Sequence, residues 1–326
     1  MASQSETAGN VLQTVAFVFP GQGSQSVGML DAFTENDAGT ELATLVQDTL
    51  AEASEALGYD LGALIHADPE QRLAKTEVTQ PAILVTSVAT WRAWKSLGGA
   101  DPSVMAGHSL GEYSALVCAG GLSLADGAAL VRDRGALMQQ AVPEGEGAMA
   151  AILGLTDEQI LECCDSIDGA VAPANFNAPG QVVIAGQSAA VASAIEACKA
   201  AGAKRALPVA MSVPSHSALM SGAALALGER LAGVELRMPG IPVVHNVDAS
   251  IATSTEEIGR KLTAQLHNPV RWTECAQVLK QRSITQIAEC GPGKVLSGLQ
   301  KRIDKTLSAV ALGTPEQLQN FLASNS

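Results

Sequence analysis

Ser103-Val104-Met105-Ala106-Gly107-His108-Ser109-Leu110-Gly111-Glu112-Tyr113-Ser114-Ala115-Leu116-Val117 is the stretch that decides the fold. An apolar run of strand type leads into Gly-x-Ser-x-Gly, and a helical pattern follows. That is the context of a nucleophile elbow, a sharp strand-to-helix turn that lifts a serine hydroxyl above the edge of a sheet. Glycine at both ends lets the backbone bend at little steric cost. The following helix aims backbone N–H groups at the place where an oxyanion forms. From these residues alone a second reading stays open, a glycine-rich turn in which Ser109 only caps the helix.

Strands and helices alternate on either side of this turn. Val15-Ala16-Phe17-Val18-Phe19 reads as a buried strand closed by Pro20-Gly21. Residues 41–57 read as a helix stopped by Gly58, and 81–97 as a helix opened by Pro81 and closed by Gly98-Gly99. Ser123 with Asp126 resembles a capping box for a helix reaching about residue 142. The alternation predicts an α/β chain with a parallel sheet covered on both faces. With the elbow it predicts an α/β-hydrolase-like large domain.

From Pro143 the rhythm changes. Strand 148–153, helix 156–164 with Thr156 and Gln159 as cap pair, strands 170–174 and 181–185 around Asn-Ala-Pro-Gly, helix 188–201 and strand 204–209 follow in turn. The order β-α-β-β-α-β is that of a ferredoxin-like unit. We therefore expect a small domain over 143–212 inserted into a large domain of 1–142 and 213–326. The large domain resumes with a helix over 217–231, a strand over 241–244, helices over 255–266 and 270–281, and strands over 284–288 and 307–312. Residues 1–12 are expected to be a disordered leader.

Composition narrows the function classes. The 326 residues are 47% hydrophobic and 16% charged, with a formal net charge of −13, which argues against general nucleic-acid binding. Six cysteines with no C-x-x-C pair read as small buried residues in a reducing compartment. Met1–Asn10 holds no apolar signal core. The uncharged stretch 206–228 carries Pro208, Pro214 and His216, which suits a loop and helix better than a membrane span. A soluble, cytoplasmic protein without membrane partners is expected, and with no coiled-coil pattern, a monomer.

A serine at neutral pH needs a base within hydrogen-bond reach. Of the five histidines, His108 adjoins Ser109 inside the elbow and is expected to support packing. His216, in Ser212-Val213-Pro214-Ser215-His216, lies just past the predicted insert, where a domain junction makes a cleft. Its residues alone leave it open as base or as capping histidine. Pro20-Gly21-Gln22-Gly23-Ser24-Gln25 is a turn at a strand's C-terminal end, without the third glycine of a dinucleotide fingerprint. Gly291-Pro292-Gly293-Lys294 is followed by Val295 and so is not a phosphate-binding P-loop. No pattern of metal ligands is present in the sequence.

Taken together these stretches resemble bacterial malonyl-CoA:acyl-carrier-protein transacylases, the acyltransferases of fatty-acid synthesis. The residues that carry the resemblance run in order from about 15 to 305. They are Phe17–Gln25, Gly107–Tyr113, Arg134-Gly135, Asn175–Gln181, Val213–His216, Gln265–Val270 and Gly291–Lys294. The resemblance implies that Ser109 is the nucleophile, forming an acyl ester, and that His216 is its general base. It implies that a backbone carbonyl at Gln265 orients His216, and that Gln22 and Leu110 supply backbone N–H groups to the oxyanion. Arg134 would pair with the free malonyl carboxylate, a match of guanidinium fork to carboxylate. Asn177 and Ser215 are candidates for the pocket. Polyketide acyltransferases often carry a bulkier residue where Ser215 stands. No permanently bound cofactor is implied; malonyl-CoA and CoA would be substrate and product.

The implied partner is an acidic acyl carrier protein, while this chain is acidic as well. Docking would need a local basic surface, and two groups offer one: Lys294, Lys301, Arg302 and Lys305, and Lys199, Lys204 and Arg205. Three rival readings remain from the residues. A serine esterase or thioesterase would use the same elbow, yet no acid between Ser109 and His216 stands out as a third triad member. A catalytically silent carrier-binding module would keep the fold, and a discrete polyketide-synthase acyltransferase would keep the chemistry.

Overall fold

The computed structural model describes residues 11–34, 39–209 and 213–325. The first strand, β1 (Val11–Phe19), is followed by α1 (Asp31–Thr34), α2 (Thr40–Leu57), α3 (Leu61–His66) and α4 (Thr76–Ser96). Then come β2 (Asp101–Gly107), α5 (Gly111–Cys118) and α6 (Leu124–Ala141). A middle section holds β3 (Gly147–Leu153), α7 (Asp157–Asp165), β4 (Val171–Ala178), β5 (Gln181–Gln187), α8 (Ser188–Ala200) and β6 (Arg205–Pro208). The chain continues through α9 (Ser221–Leu231), β7 (Val243–Val244), α10 (Thr255–Gln265), α11 (Trp272–Gln281), β8 (Gln286–Glu289), α12 (Val295–Ile303), β9 (Ser308–Ala311) and α13 (Pro315–Ser324).

Two sheets result. The larger is parallel, in the order β7-β2-β1-β8-β9. Its central strand β1 explains why both faces must be covered. Val15, Phe17 and Phe19 point into one core with Trp91, Trp94 and Phe321, and Ala16 and Val18 into another with Val104, Trp272 and Leu279. A strand buried on both faces reads as an unbroken apolar run, as this one does. The smaller sheet is antiparallel, in the order β4-β5-β3-β6. Helices α7 and α8 bury one of its faces over Ala150, Ile152, Val182 and Ile184. The opposite face carries Met149, Ala174 and Ala185. Backbone bonds tie β4 to the chain ahead of α11, Phe176 N–H to Val270 O at 2.9 Å and Val270 N–H to Ala174 O at 2.8 Å.

Several expectations need correction. Residues 1–10 lie outside the described residues, but Val11 and Leu12 are strand, paired with Asp101 and Pro102, and not part of a leader. Pro81 does not open its helix. Helix α4 begins at Thr76 and runs through it, because burial of Val78, Thr79, Gln80 and Ala82 holds the first turn against the missing N–H. The expected strand over 241–244 shrinks to Val243–Val244, since Pro242 offers only its carbonyl, which accepts from Met105 N–H at 2.8 Å. Helix α11 starts at Trp272 because Val270 is engaged by β4. Residues 218–220 form a single 3₁₀ turn ahead of α9, and the turn between β4 and β5 is confined to Pro179-Gly180. Helices α1, α3, α12 and α13 were not read from the sequence.

Candidate active site

Ser109 sits between the C-terminal end of β2 and α5, with φ 51°. A non-glycine residue in that region stores strain, and its neighbours hold it there. A Cβ on Gly107 would stand 1.9 Å from Gly111 C, and one on Gly111 2.0 Å from Phe19 O, so both ends of the elbow must be glycine. Asn246, in the turn after β7, clamps the bend: its Oδ1 accepts from Ser109 N–H at 2.6 Å, and its Nδ2 donates to Gly107 O at 2.7 Å.

His216 meets the serine. Ser109 Oγ lies 2.7 Å from His216 Nε2, and His216 Nδ1 lies 2.8 Å from the backbone oxygen of Gln265 at the end of α10. A carbonyl can only accept, so Nδ1 carries the proton and a neutral ring turns its Nε2 lone pair toward Ser109 Oγ–H. His216 is also held by its backbone N–H, which donates to Leu266 O at 3.0 Å, and its φ is 60°. Burial first, and then the nearby Arg134 guanidinium, push His216 from its ordinary 6.5 down to about 3. The ring is therefore a free base at neutral pH.

Arg134, on α6, reaches the same point. It is 1% exposed, and its Nη2 donates to Ser109 Oγ at 3.1 Å and to Gln265 Oε1 at 3.1 Å. Its Nη1 donates to Gln80 Oε1 at 2.8 Å, and its Nε is buried without a partner. Among the described residues no carboxylate lies within ion-pair distance of it, while the guanidinium stacks 5.4 Å from the Tyr113 ring centroid. Burying a cation among neutral acceptors is costly, and the Glu112 carboxylate behind Gln265 offsets part of that cost.

The other expected residues fall around this centre. Leu110 is buried and immediately precedes α5, which puts its backbone N–H beside Ser109 at the helix N-terminus. Gln22 lies in the turn after β1, with its side-chain Nε2 3.5 Å from Thr76 Oγ1. Asn177 does not touch Ser109; its Oδ1 is 2.8 Å from His108 Nε2. The His108 ring is thus turned toward Asn177 and the Trp272 ring. Ser215 is buried, its Oγ 3.5 Å from Met149 Sδ. A cavity of about 180 Å³ is lined by Gln22 and His108, next to the elbow, and by Met149, Asn177, Val183 and Leu299; the side chains of Ser109 and His216 are not part of its lining.

Sequence reasoning missed Gln80, Glu112, His245 and Asn246. Glu112 lies inside the elbow motif but reads there as an ordinary helix residue. It is fully buried and accepts from His245 Nδ1, Asn246 N–H and Gln265 Nε2 at 2.7, 2.8 and 2.9 Å. His245-Asn246 had no signal beyond the histidine itself, because their partners are more than 130 positions away.

The chain is similar to known acyltransferases. The acyl transferase domain family matches residues 16–309. A malonyl CoA-acyl carrier protein transacylase from Salmonella typhimurium is 54% identical over 309 residues, covering 94% of this chain and 98% of that protein. An acyl carrier protein S-malonyltransferase from Vibrio cholerae, known from a crystal structure, is similar in fold with a TM-score of 0.91 at 53% identity, covering 94% of this chain and 99% of that one. A malonyl-transacylase solved in complex with a type II polyketide acyl-carrier protein has a TM-score of 0.92 at 53% identity, covering 95% and 99%.

Proposed function

The chain belongs to the acyl transferase domain family, and on that footing we propose that it moves a malonyl group from malonyl-CoA to the phosphopantetheine thiol of an acyl carrier protein, for fatty acid synthesis. The carrying observation is Arg134, a buried guanidinium without a carboxylate partner, 3.1 Å from the nucleophile. An acyl group that brings its own carboxylate completes that site, and an acetyl group leaves it unpaired.

The reaction is a double displacement through a Ser–His dyad. His216 Nε2 takes the proton as Ser109 Oγ attacks the thioester carbonyl, and the oxyanion is met by the N–H groups of Gln22 and Leu110. Collapse expels CoA, whose sulfur takes the proton back from His216, leaving a malonyl ester on Ser109. The carrier's thiol then enters, gives its proton to His216 and attacks the ester. The second collapse returns that proton to Ser109. The Gln265 carbonyl holds the imidazole where a triad would place an aspartate. Asn177 and Ser215 shape the cleft at some remove from the reacting atoms. No resident cofactor is required, since malonyl-CoA and CoA are substrate and product.

We read residues 143–212 as a ferredoxin-like insert in an α/β-hydrolase-like domain of 1–142 and 213–326; the β3-α7-β4-β5-α8-β6 order supports this. The carrier docks at the mouth of the cleft between them. Arg302 on α12 donates to Gln181 Oε1 across the gap at 2.8 Å, and Arg205 lies on the strand row Gln181-Leu153-Arg205, so the two basic groups border one opening. On the same reading the enzyme works in the cytoplasm as a monomer.

The test is intact-protein mass measurement after mixing with malonyl-CoA. A malonyl adduct on Ser109 that carrier protein discharges faster than water supports transfer. Rapid release of malonate without carrier would make the protein a hydrolase, and no adduct at all would make it a silent binding module.

A further inference from the structure

We propose that Glu112 is a positioning residue that sets nucleophile, base and carboxylate anchor in one register, acting through Gln265 and Asn246; the proposal rests on the acyl-transfer reading above. Glu112 stands on α5 three residues past Ser109 and is fully buried. Two of its contacts run back to the elbow. It accepts from Asn246 N–H at 2.8 Å, and the Asn246 side chain in turn holds Ser109 N–H and Gly107 O. It also accepts from Gln265 Nε2 at 2.9 Å, and that same nitrogen donates to Ser109 O at 3.0 Å. Gln265 is the residue whose backbone oxygen holds His216 Nδ1. One carboxylate therefore reaches both members of the dyad through a single intervening residue each.

The third consequence concerns Arg134. A carboxamide has one end that donates and one that accepts, and which way it points is set by its neighbours. The carboxylate of Glu112 and the Ser109 carbonyl both call for the amide nitrogen, so Gln265 Oε1 is left to face Arg134, 3.1 Å away. Glu112 thereby determines that the guanidinium finds an acceptor on this side, and with Gln80 on the other the fork is held from two directions. His245 Nδ1 at 2.7 Å fixes the carboxylate itself.

Glutamine at this position keeps the shape and removes one acceptor. Three donors converge on two oxygens, and an amide can satisfy only those facing its single oxygen. If Gln265 flips to compensate, its NH₂ turns toward the guanidinium, donor against donor, and Arg134 shifts. Misplacement of this kind typically costs up to about 100-fold in rate.

The experiment compares wild type, Glu112→Gln and Gln265→Met for folding, for Ser109 loading by intact mass, and for kcat and KM with malonyl-CoA and acetyl-CoA. Adduct formation by wild type checks the underlying reading separately. Glu112→Gln is expected to lower malonyl kcat per folded active site by roughly 10–100-fold. It should also lower the malonyl-to-acetyl kcat/KM ratio by about tenfold, with no further drop in that ratio when combined with Gln265→Met, because the relay is already cut. A purely structural residue would reduce the folded fraction and leave both values per active site unchanged, which overturns the proposal. Should Glu112→Gln not fold, Gln265→Met alone decides: it keeps the backbone carbonyl for His216, and an unchanged malonyl-to-acetyl ratio in it overturns the relay.

Discussion

At the residue scale the site is organised by an unusual economy of charge. Arg134 is the cation, His216 is held neutral, Glu112 stands behind Gln265, and in the proposed reaction the acyl carboxylate is the anion that meets the guanidinium. Arg134→Ala should cost malonyl transfer on the order of 10²–10³-fold and acetyl transfer far less, measured as kcat/KM for the two thioesters; equal losses would rule out the carboxylate role. Arg134→Lys should also be impaired, because an ammonium cannot span Gln80 and Gln265 while presenting a second N–H to the substrate. The depressed His216 value makes a second prediction. The base stays unprotonated down to about 3, so kcat/KM for Ser109 loading should be flat across the region near 6.5 where an ordinary histidine titrates; an inflection there would contradict the geometry. The sign for stability is opposite in sense to a paired histidine. Below pH 6.5 the unfolded chain takes up a proton that native His216 refuses, so acid weakens the fold progressively from 6.5 toward about 3.

At the element scale the approach of α4 to α6 is what delivers Gln80 to Arg134. A Cβ on Gly135 would lie 2.7 Å from Glu77 Cα and from Thr76 O, so glycine there lets the two helices touch backbone to backbone one residue beyond Arg134. Gly135→Ala should destabilise the protein by about 1–3 kcal/mol in denaturant unfolding and reduce malonyl transfer more than acetyl transfer, since the added methyl pushes Gln80 away from the guanidinium. Helix α12 offers a companion case. Glu289 at the end of β8 accepts from Leu296 N–H and Ser297 N–H at 3.0 and 2.7 Å, anchoring the start of the helix that walls the cleft, while burial pushes its own carboxyl above the usual range. Helix α4 also shows why a boundary is harder to read from sequence than the existence of a helix. Pro81 looked like a helix start because a proline suits the first turn. Only the buried partners of Val78 and Gln80 reveal that the turn before it is helical too. Residues 315–324 carry a start signal in the sequence, Pro315 after the Thr314 cap with Gln317.

At the scale of the whole molecule, function depends on two sheets meeting over one cleft. The cavity's lining comes from residues as far apart as Gln22, Asn177 and Leu299, and the proposed docking surface sets basic side chains near it in a chain of net charge −13. Reversing Lys301 and Arg302, or Lys204 and Arg205, to glutamate should raise the KM for carrier protein and flatten its salt dependence. Loading of Ser109 from a small malonyl thioester without the nucleotide should be unaffected by either reversal. Unchanged carrier KM and salt response for both pairs would place docking elsewhere.

The sequence by itself determined the elbow, the alternation that makes a parallel sheet, and the β-α-β-β-α-β section. Each is a local pattern: glycines where backbone passes within 2 Å of a missing Cβ, apolar runs where a strand is covered twice, caps where helices begin. Family resemblance added the expected roles of His216, Arg134 and Gln265. Only the tertiary structure decided that Ser109 Oγ lies 2.7 Å from His216 Nε2 and 3.1 Å from Arg134, and that Glu112, Asn246 and Gln80 hold them there. Those contacts join positions 25 to 153 residues apart. No pattern along the chain encodes them, because hydrogen-bond partners are chosen by what the packed core brings within 3 Å and not by spacing in sequence.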